Sequence, residues 1–440
     1  METKLWQKDK IQTPVWLEQF TIGNDKSLDL LLAEHDIKGS LAHAAMLGAT
    51  GLITEKENKL LQKELGSILS LIKAGSFQIE EHVEDVHSQI ELLLTRALGD
   101  TGKKIHTGRS RNDQVLTCIK LFIREELKKT SFLMADLFDL LQKLSEEYKT
   151  ILMPGYTHLQ IAMPSSFGLW FGAYAESLSD DLEMMLAAYK IADKSPLGSA
   201  AGYGSSLPVD REFTAEKMGF ATLNYNSAYA QMTRGKTEKA AAVSLSNVAA
   251  TLSKLSMDAC LFNSQNFAFI SFPEELTTGS SIMPHKRNPD VFELVRGKCN
   301  KLQALPNELS MLLTNLPSGY HRDLQLTKES LFPSFKTLNE CIEAALFMLK
   351  NIKVKDGLLK NPKYKDLFTV EKVNKLVKEG VPFREAYKIV GGSVKEGTFE
   401  YYNEIEHTHQ GSIGNLMNDR IKEAFYAKLT HFGVLEPLCK

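Results

Sequence analysis

The chain has 440 residues, 43% of them hydrophobic and 24% charged, and a formal net charge of -2. That length allows two or three folding units around an ample core, and a near-neutral balance without a basic block excludes an electrostatic case for nucleic acid or an anionic membrane as partner. Five dispersed cysteines (Cys118, Cys260, Cys299, Cys341 and Cys439) form no CxxC pair, which predicts reduced thiols in a cytoplasmic protein and no zinc site. The opening METKLWQKDK lacks an apolar signal core, and no window approaches the ~20 apolar residues of a membrane span.

In chain order, the first hundred residues read as short helices separated by polar turns such as IGNDKS and KAGSFQ. His82 and His87, in EEHVEDVHSQIE, lack the HExxH frame and read as a solvated acidic helix face. From 113 to 148 a helical stripe runs through Val115, Leu116, Ile119, Phe122, Ile123, Leu127, Leu133, Leu137, Leu140, Leu141 and Leu144 without a glycine or proline. At about 1.5 Å per residue this predicts a rod of roughly 50 Å. Similar rods are predicted at 166–192, 236–264, 289–315 and 328–351, with Pro306 kinking or interrupting the fourth. Its start is signalled by Asn288 as cap, Pro289 in the first turn, and Asp290 and Glu293 opposing the helix dipole.

No alternating segment is long enough to supply the strands of an α/β fold, so the fold class is all-α. The predicted units are an N-terminal helical domain (1–107), a central bundle of long helices (108–355) and a small, more charged helical domain (356–440). Rods of this length exceed what one compact subunit covers, which predicts burial against further copies in a homo-oligomer.

Four stretches between the rods are too polar and glycine-rich to be ordinary connections: KIHTGRSRNDQ (104–114), PGYTHLQIAMP (154–164), TTGSSIMPHKRNPD (277–290) and PSGYHRDLQLTKE (317–329). The first sets Ser110, Arg111 and Asn112 before the longest helix, where arginines and a helix N-terminus suit a carboxylate; an ordinary cap with solvated arginines is the plain alternative. In the second, His158 beside Thr157 suits proton transfer near neutrality, although a lone histidine is more often structural. The third places Ser280 six residues before Lys286; a serine base requires its alkoxide to be stabilised by cations or backbone N–H groups. The fourth offers Tyr320, Gln325 and Lys328, while Arg322 and Asp323 can pair locally. GSAAGYGSS (198–206) lacks the spacing of a phosphate cradle, His407 and His409 read as exposed, and there is no G-x-S-x-G elbow. Together the stretches supply cations, amides, hydroxyls and one histidine, with no evident metal or cofactor. That inventory suits proton abstraction beside a carboxylate of a small polyanionic substrate.

GSSIMPHKRNPD (279–290) resembles the signature loop of the fumarase/aspartase superfamily. GRSRNDQV (108–115) with GYTHLQ (155–160) resembles its argininosuccinate lyase branch, as do DIKGSLAHAAML (36–47), EDVHSQIE (84–91) and SGYHRDLQLTKE (318–329). The resemblance spans roughly residues 15 to 335. It implies a mostly helical homotetramer with a twenty-helix core, five long helices per chain, and active sites shared by three subunits. It implies reversible cleavage of argininosuccinate to L-arginine and fumarate, the last step of arginine biosynthesis, without a metal or cofactor. By the same resemblance Ser280 is the base and His158 the acid, with Glu293 paired to that histidine. Lys286 and Asn288 hold the carboxylates and the dianionic intermediate. Ser110, Arg111, Asn112 and Thr157 bind substrate, and Tyr320, Gln325 and Lys328 grip the arginine half.

Two departures stand out. Thr21 occupies a substrate-binding position that is usually serine, and YAQMTRGKTEK (229–239) replaces a more acidic run while Arg234 keeps that region's arginine. An adenylosuccinate lyase is opposed by GRSRNDQV, and a non-catalytic crystallin-like copy is opposed by the presence of Ser280, His158, Lys286 and Asn288 together.

Overall fold

The computed structural model describes residues 15–401 and 405–433. The stripe of apolar residues becomes a helix of 37 residues, Arg111–Glu147, about 55 Å long. It is followed by helices Phe167–Ala192 and Lys236–Asn263 and, later, Thr327–Lys350. These pack side by side: Arg111–Glu147 on Phe167–Ala192 and Thr327–Lys350, and Lys236–Asn263 on Phe167–Ala192. One continuous apolar core runs between them, with Ile119 and the stacked pair Phe138 and Phe425 fully buried. The all-α reading holds, because helices dominate and the strands are few.

The fourth predicted rod is two helices, Asp290–Leu302 and Leu305–Leu312, with Gln303 and Ala304 between them and Pro306 in the first turn of the second. A proline there lacks the N–H that would continue the ladder, so the rod breaks where expected. The cap of the first piece differs from expectation. Asn288 forms a β-bridge with Thr278, its N–H donating to Thr278 O at 2.8 Å, and the helix starts at Asp290 after Pro289, with no side-chain cap. Loop closure across 278–288 claims the residue that local sequence had offered to the helix.

The second polar stretch also differs. Instead of an irregular connection it forms an antiparallel hairpin, β1 (Leu152–Thr157) with β2 (Gln160–Ser166). Pro154 and Pro164 face one another across it, an arrangement a two-stranded ribbon tolerates because its outer edges carry no partner. His158 and Leu159 form its two-residue tip. At the other end, Thr54 and Glu57 form a capping box that starts helix Glu55–Lys73, which packs on Ala33–Ala49. Among the described residues, no helix is long and apolar enough to cross a membrane.

Candidate active site

A cavity of about 680 Å³ opens where chain segments near residues 25, 85, 111 and 325 converge. Arg111, Asn112, Tyr320, Gln325 and Lys328 all line it, so two of the four polar stretches meet here although some 200 residues separate them.

The N-terminus of the 37-residue helix faces this cavity through a capping box. Ser110 Oγ accepts from Asn112 N at 3.3 Å, and Asp113 accepts from Ser110 N at 2.8 Å. Ser110 is therefore the cap. The other Asp113 oxygen accepts from Gly198 N and Ala200 N, both at 2.9 Å. The glycine-rich stretch after residue 197 thus spends its backbone donors on this helix start. Burial pushes the Asp113 carboxyl up to about 6 even though three backbone N–H groups favour its charge.

Arg111 is oriented from several sides. It donates to Gln114 Oε1 at 3.1 Å and Ser88 Oγ at 3.2 Å, and lies 3.7 Å from both Asp85 and Glu91. Gln114 in turn donates to Asp36 at 2.8 Å. Asp36 and His87 are both buried, 3.4 Å apart. Burial opposes charge on Asp36, but His87, Arg109 and the Gln114 amide outweigh it and hold the carboxyl well below the usual carboxylate range. The expectation of a solvated histidine pair is thus corrected. His87 sits in the core, and only His82 is exposed, at the cavity edge. A signal existed, since His87, Ile90, Glu91 and Leu94 recur at helical spacing on one face. Arg109 is buried too, donating to Ser40 Oγ at 3.0 Å. Asp36, His87 and Cys118 each bring one metal-ligand atom within 4.8 Å of the others, but the neighbouring Arg109 guanidinium makes a further cation there unfavourable.

At the opposite wall, Lys328 Nζ lies 2.7 Å from both Asp25 and Asp29 and is almost fully buried. Neither aspartate was singled out in the sequence, because IGNDKSLD reads as a polar turn. Gln325 donates to Thr21 O and Ile22 O at 3.2 Å, and Arg322 donates to Thr21 O and Glu84, both at 2.9 Å, instead of pairing with Asp323. Thr21 meets this region through its backbone carbonyl, while its hydroxyl donates to Leu17 O at 2.9 Å.

The remaining predicted residues lie elsewhere. Ser280, Lys286, Asn288, Thr157, His158 and Glu293 do not line the cavity. Lys286, Thr157, His158 and Glu293 are exposed, and Ser280 and Asn288 are half-buried. Ser280 Oγ accepts from Met283 N at 3.2 Å and Ile282 N at 3.4 Å, so two backbone dipoles already point at this oxygen. His158 and Leu159 hold φ of 54° and 59°, the left-handed geometry of a tight hairpin, for which Asn and Gly are the usual residues. His407, read as exposed, is half-buried and bonded to Glu371 at 2.9 Å.

Residues 10–304 match the lyase family model. Argininosuccinate lyase of Bacteroides fragilis is 56% identical over 433 residues, covering 98% of this chain and 97% of that protein. The enzyme of the same name from Thermotoga neapolitana is 40% identical over 390 residues, 89% of this chain and 98% of the relative. Among solved structures, the class II fumarase of Schistosoma mansoni superposes with a TM-score of 0.72 at 17% identity, over 97% of this chain and 98% of that one. An EDDS lyase variant with bound fumarate gives 0.72 at 21% identity, over 96% of this chain and 81% of that chain. At such identities the structures speak for the shared fold, whereas the near-full-length relatives speak for the branch. This chain belongs to the argininosuccinate lyase family of the fumarase/aspartase superfamily.

Proposed function

We propose that the chain cleaves argininosuccinate reversibly to L-arginine and fumarate, the last step of arginine biosynthesis, in the cytoplasm. The observation that carries the reading is the convergence of Arg111, Asn112, Tyr320, Gln325 and Lys328 on one cavity. Its five carboxylates match its five cations in number, so one chain alone offers no net positive charge to a substrate bearing several carboxylates. The missing charge and the proton-transfer groups would come from other copies, through the exposed Lys286 loop and the His158 hairpin. That requirement supports a homotetramer in which three subunits complete each site. Large apolar side chains left outward, Leu294 on Asp290–Leu302, Met311 on Leu305–Leu312 and Phe347 on Thr327–Lys350, support the same assembly.

In this reading Ser280 removes the proton from the carbon beside one succinyl carboxylate. Its alkoxide is eased by the Ile282 and Met283 N–H groups. Lys286 and Asn288 hold the resulting dianion, where a fixed ammonium is worth far more than in water. The C–N bond then breaks, and His158, paired with Glu293, protonates the departing guanidino nitrogen. Ser110, Arg111, Asn112 and Thr157 orient the succinyl half, while Thr21, Tyr320, Gln325 and Lys328 serve the arginine half.

The test is the rise of fumarate absorbance with purified protein and argininosuccinate. Wild type is expected to turn over, and Ser280→Ala to lose roughly 100-fold or more, the usual worth of a general base. Near-normal turnover by the variant would remove Ser280 from the role. Cleavage of adenylosuccinate in place of argininosuccinate would overturn the substrate.

A further inference from the structure

The cavity wall beside Arg111 is built by the helix Val86–Leu98, which lines it with Ser88, Glu91, Leu92 and Thr95. Two carboxylates of this wall meet the guanidinium, and they are not equivalent. Asp85 caps the helix, accepting from Ser88 N at 2.6 Å. Burial opposes its charge, but Arg111, His87 and the Ser88 N–H outweigh burial and lower its carboxyl. Glu91 has no such support. It is buried and accepts no hydrogen bond among the described residues; Arg111 Nη2 and His106 Nδ1 stand 3.7 Å away, within ion-pair reach but too far for a hydrogen bond. Burial raises its carboxyl, with Asp85 and Asp36 adding to the rise and Arg111 and Arg109 opposing it. His106 brings no compensating charge, because burial, Arg109 and Arg111 lower it to about 4. Lys103, on the same wall, pairs with Asp100 at 2.8 Å. Arg111 itself donates to Gln114 and Ser88 and to neither carboxylate, so it keeps N–H groups for a ligand.

We propose that Glu91 is a competing anion for Arg111, which weakens the grip of that cation on a substrate or product carboxylate so that fumarate leaves as readily as it enters. This rests on the argininosuccinate reading above. A carboxylate docking on Arg111 brings a third negative charge to a guanidinium that already faces two, in a buried place where such repulsion is strong. Glu91 answers it by taking up a proton. Asp85 is fixed in its charge by the cap, and Asp36 by His87, Arg109 and Gln114. Glu91 touches no reacting atom and acts only through Arg111, as a positioning residue. Its removal has a sign that a structural prop would not show: loss of a prop raises KM, whereas loss of a competing charge lowers it.

The experiment compares wild type, Glu91→Gln and Glu91→Asp for KM and kcat with argininosuccinate and for inhibition by fumarate, at pH 6 and pH 8, with thermal melting of each. Glu91→Gln is expected to lower KM and the fumarate inhibition constant about five- to tenfold at pH 8, with kcat unchanged or reduced as release slows. The gap should narrow at pH 6, where wild-type Glu91 takes up its proton more easily on binding. Glu91→Asp keeps the charge and should stay near wild type. A higher KM in Glu91→Gln would make Glu91 a prop for Arg111 and overturn the proposal, as would unchanged constants at both pH values. Should Glu91→Gln melt early, calorimetric titration of wild type with fumarate at pH 6, in two buffers of different ionisation heat, decides: proton uptake on binding is expected, and its absence overturns the proposal. No cleavage of argininosuccinate by the wild type would overturn the enzyme assignment and this proposal together, whereas an active wild type with unchanged variants overturns this proposal alone.

Discussion

Lys328 shows what a single residue must satisfy. A buried ammonium is tolerated because two carboxylates meet it at 2.7 Å. Burial raises the Asp25 carboxyl to about 6, against the pull of Lys328, with Asp29 adding to the rise. Lys328→Met should therefore leave two carboxylates facing one another. We expect a loss of about 3 kcal/mol or more of stability at pH 8. The loss should shrink at pH 5.5, where Asp25 can take up a proton. Urea denaturation at the two pH values checks this, and an equal loss at both would contradict the carboxylate pairing. The partners of Lys328 were invisible to the sequence because 299 residues separate it from Asp29.

At the scale of elements, the hairpin tip carries a cost that the fold does not require. His158 and Leu159 both occupy left-handed backbone, worth on the order of 1–3 kcal/mol each for residues other than glycine. Asparagine tolerates that geometry better, so His158→Asn is expected to melt at the same or a higher temperature than wild type while turnover of argininosuccinate falls by roughly 100-fold or more. Calorimetry paired with the fumarate assay reads both quantities. A variant that is both stable and active would deny the tip its chemistry. The helix starting at Arg111 illustrates the opposite case, where local sequence and fold agree: Ser110 and Asp113 cap it reciprocally.

For the whole molecule, acid stability follows from histidines buried uncharged. Burial lowers His35 to about 4 and His43 to about 3, helped by Arg124 and Lys38 for the first and by Arg109 for the second. Their folded pKa values lie below the unfolded value near 6.5, so their contribution is complete above pH 6.5. It is lost as pH falls toward 4 and 3, at about 1.4 kcal/mol per pH unit for each fully titrating group. The melting temperature should thus fall steeply from pH 6 to pH 4 with net proton uptake on unfolding. His43→Gln should flatten that slope even if it lowers the plateau; an unchanged slope would place the acid sensitivity elsewhere.

The sequence by itself determined the long helices, the break at Pro306, the all-α class and the family, because helical periodicity and a contiguous signature loop are local properties of the chain. It also marked out Arg111, Asn112, Tyr320, Gln325 and Lys328 as residues of interest. Only the tertiary structure decided that these five share a cavity, that Asp25 and Asp29 hold Lys328, that His87 lies buried against Asp36, and that PGYTHLQIAMP is a hairpin. Each of those depends on contacts between distant segments, where burial sets the charge state of a side chain and the partner across the fold, not the neighbour along the chain, decides what it can do.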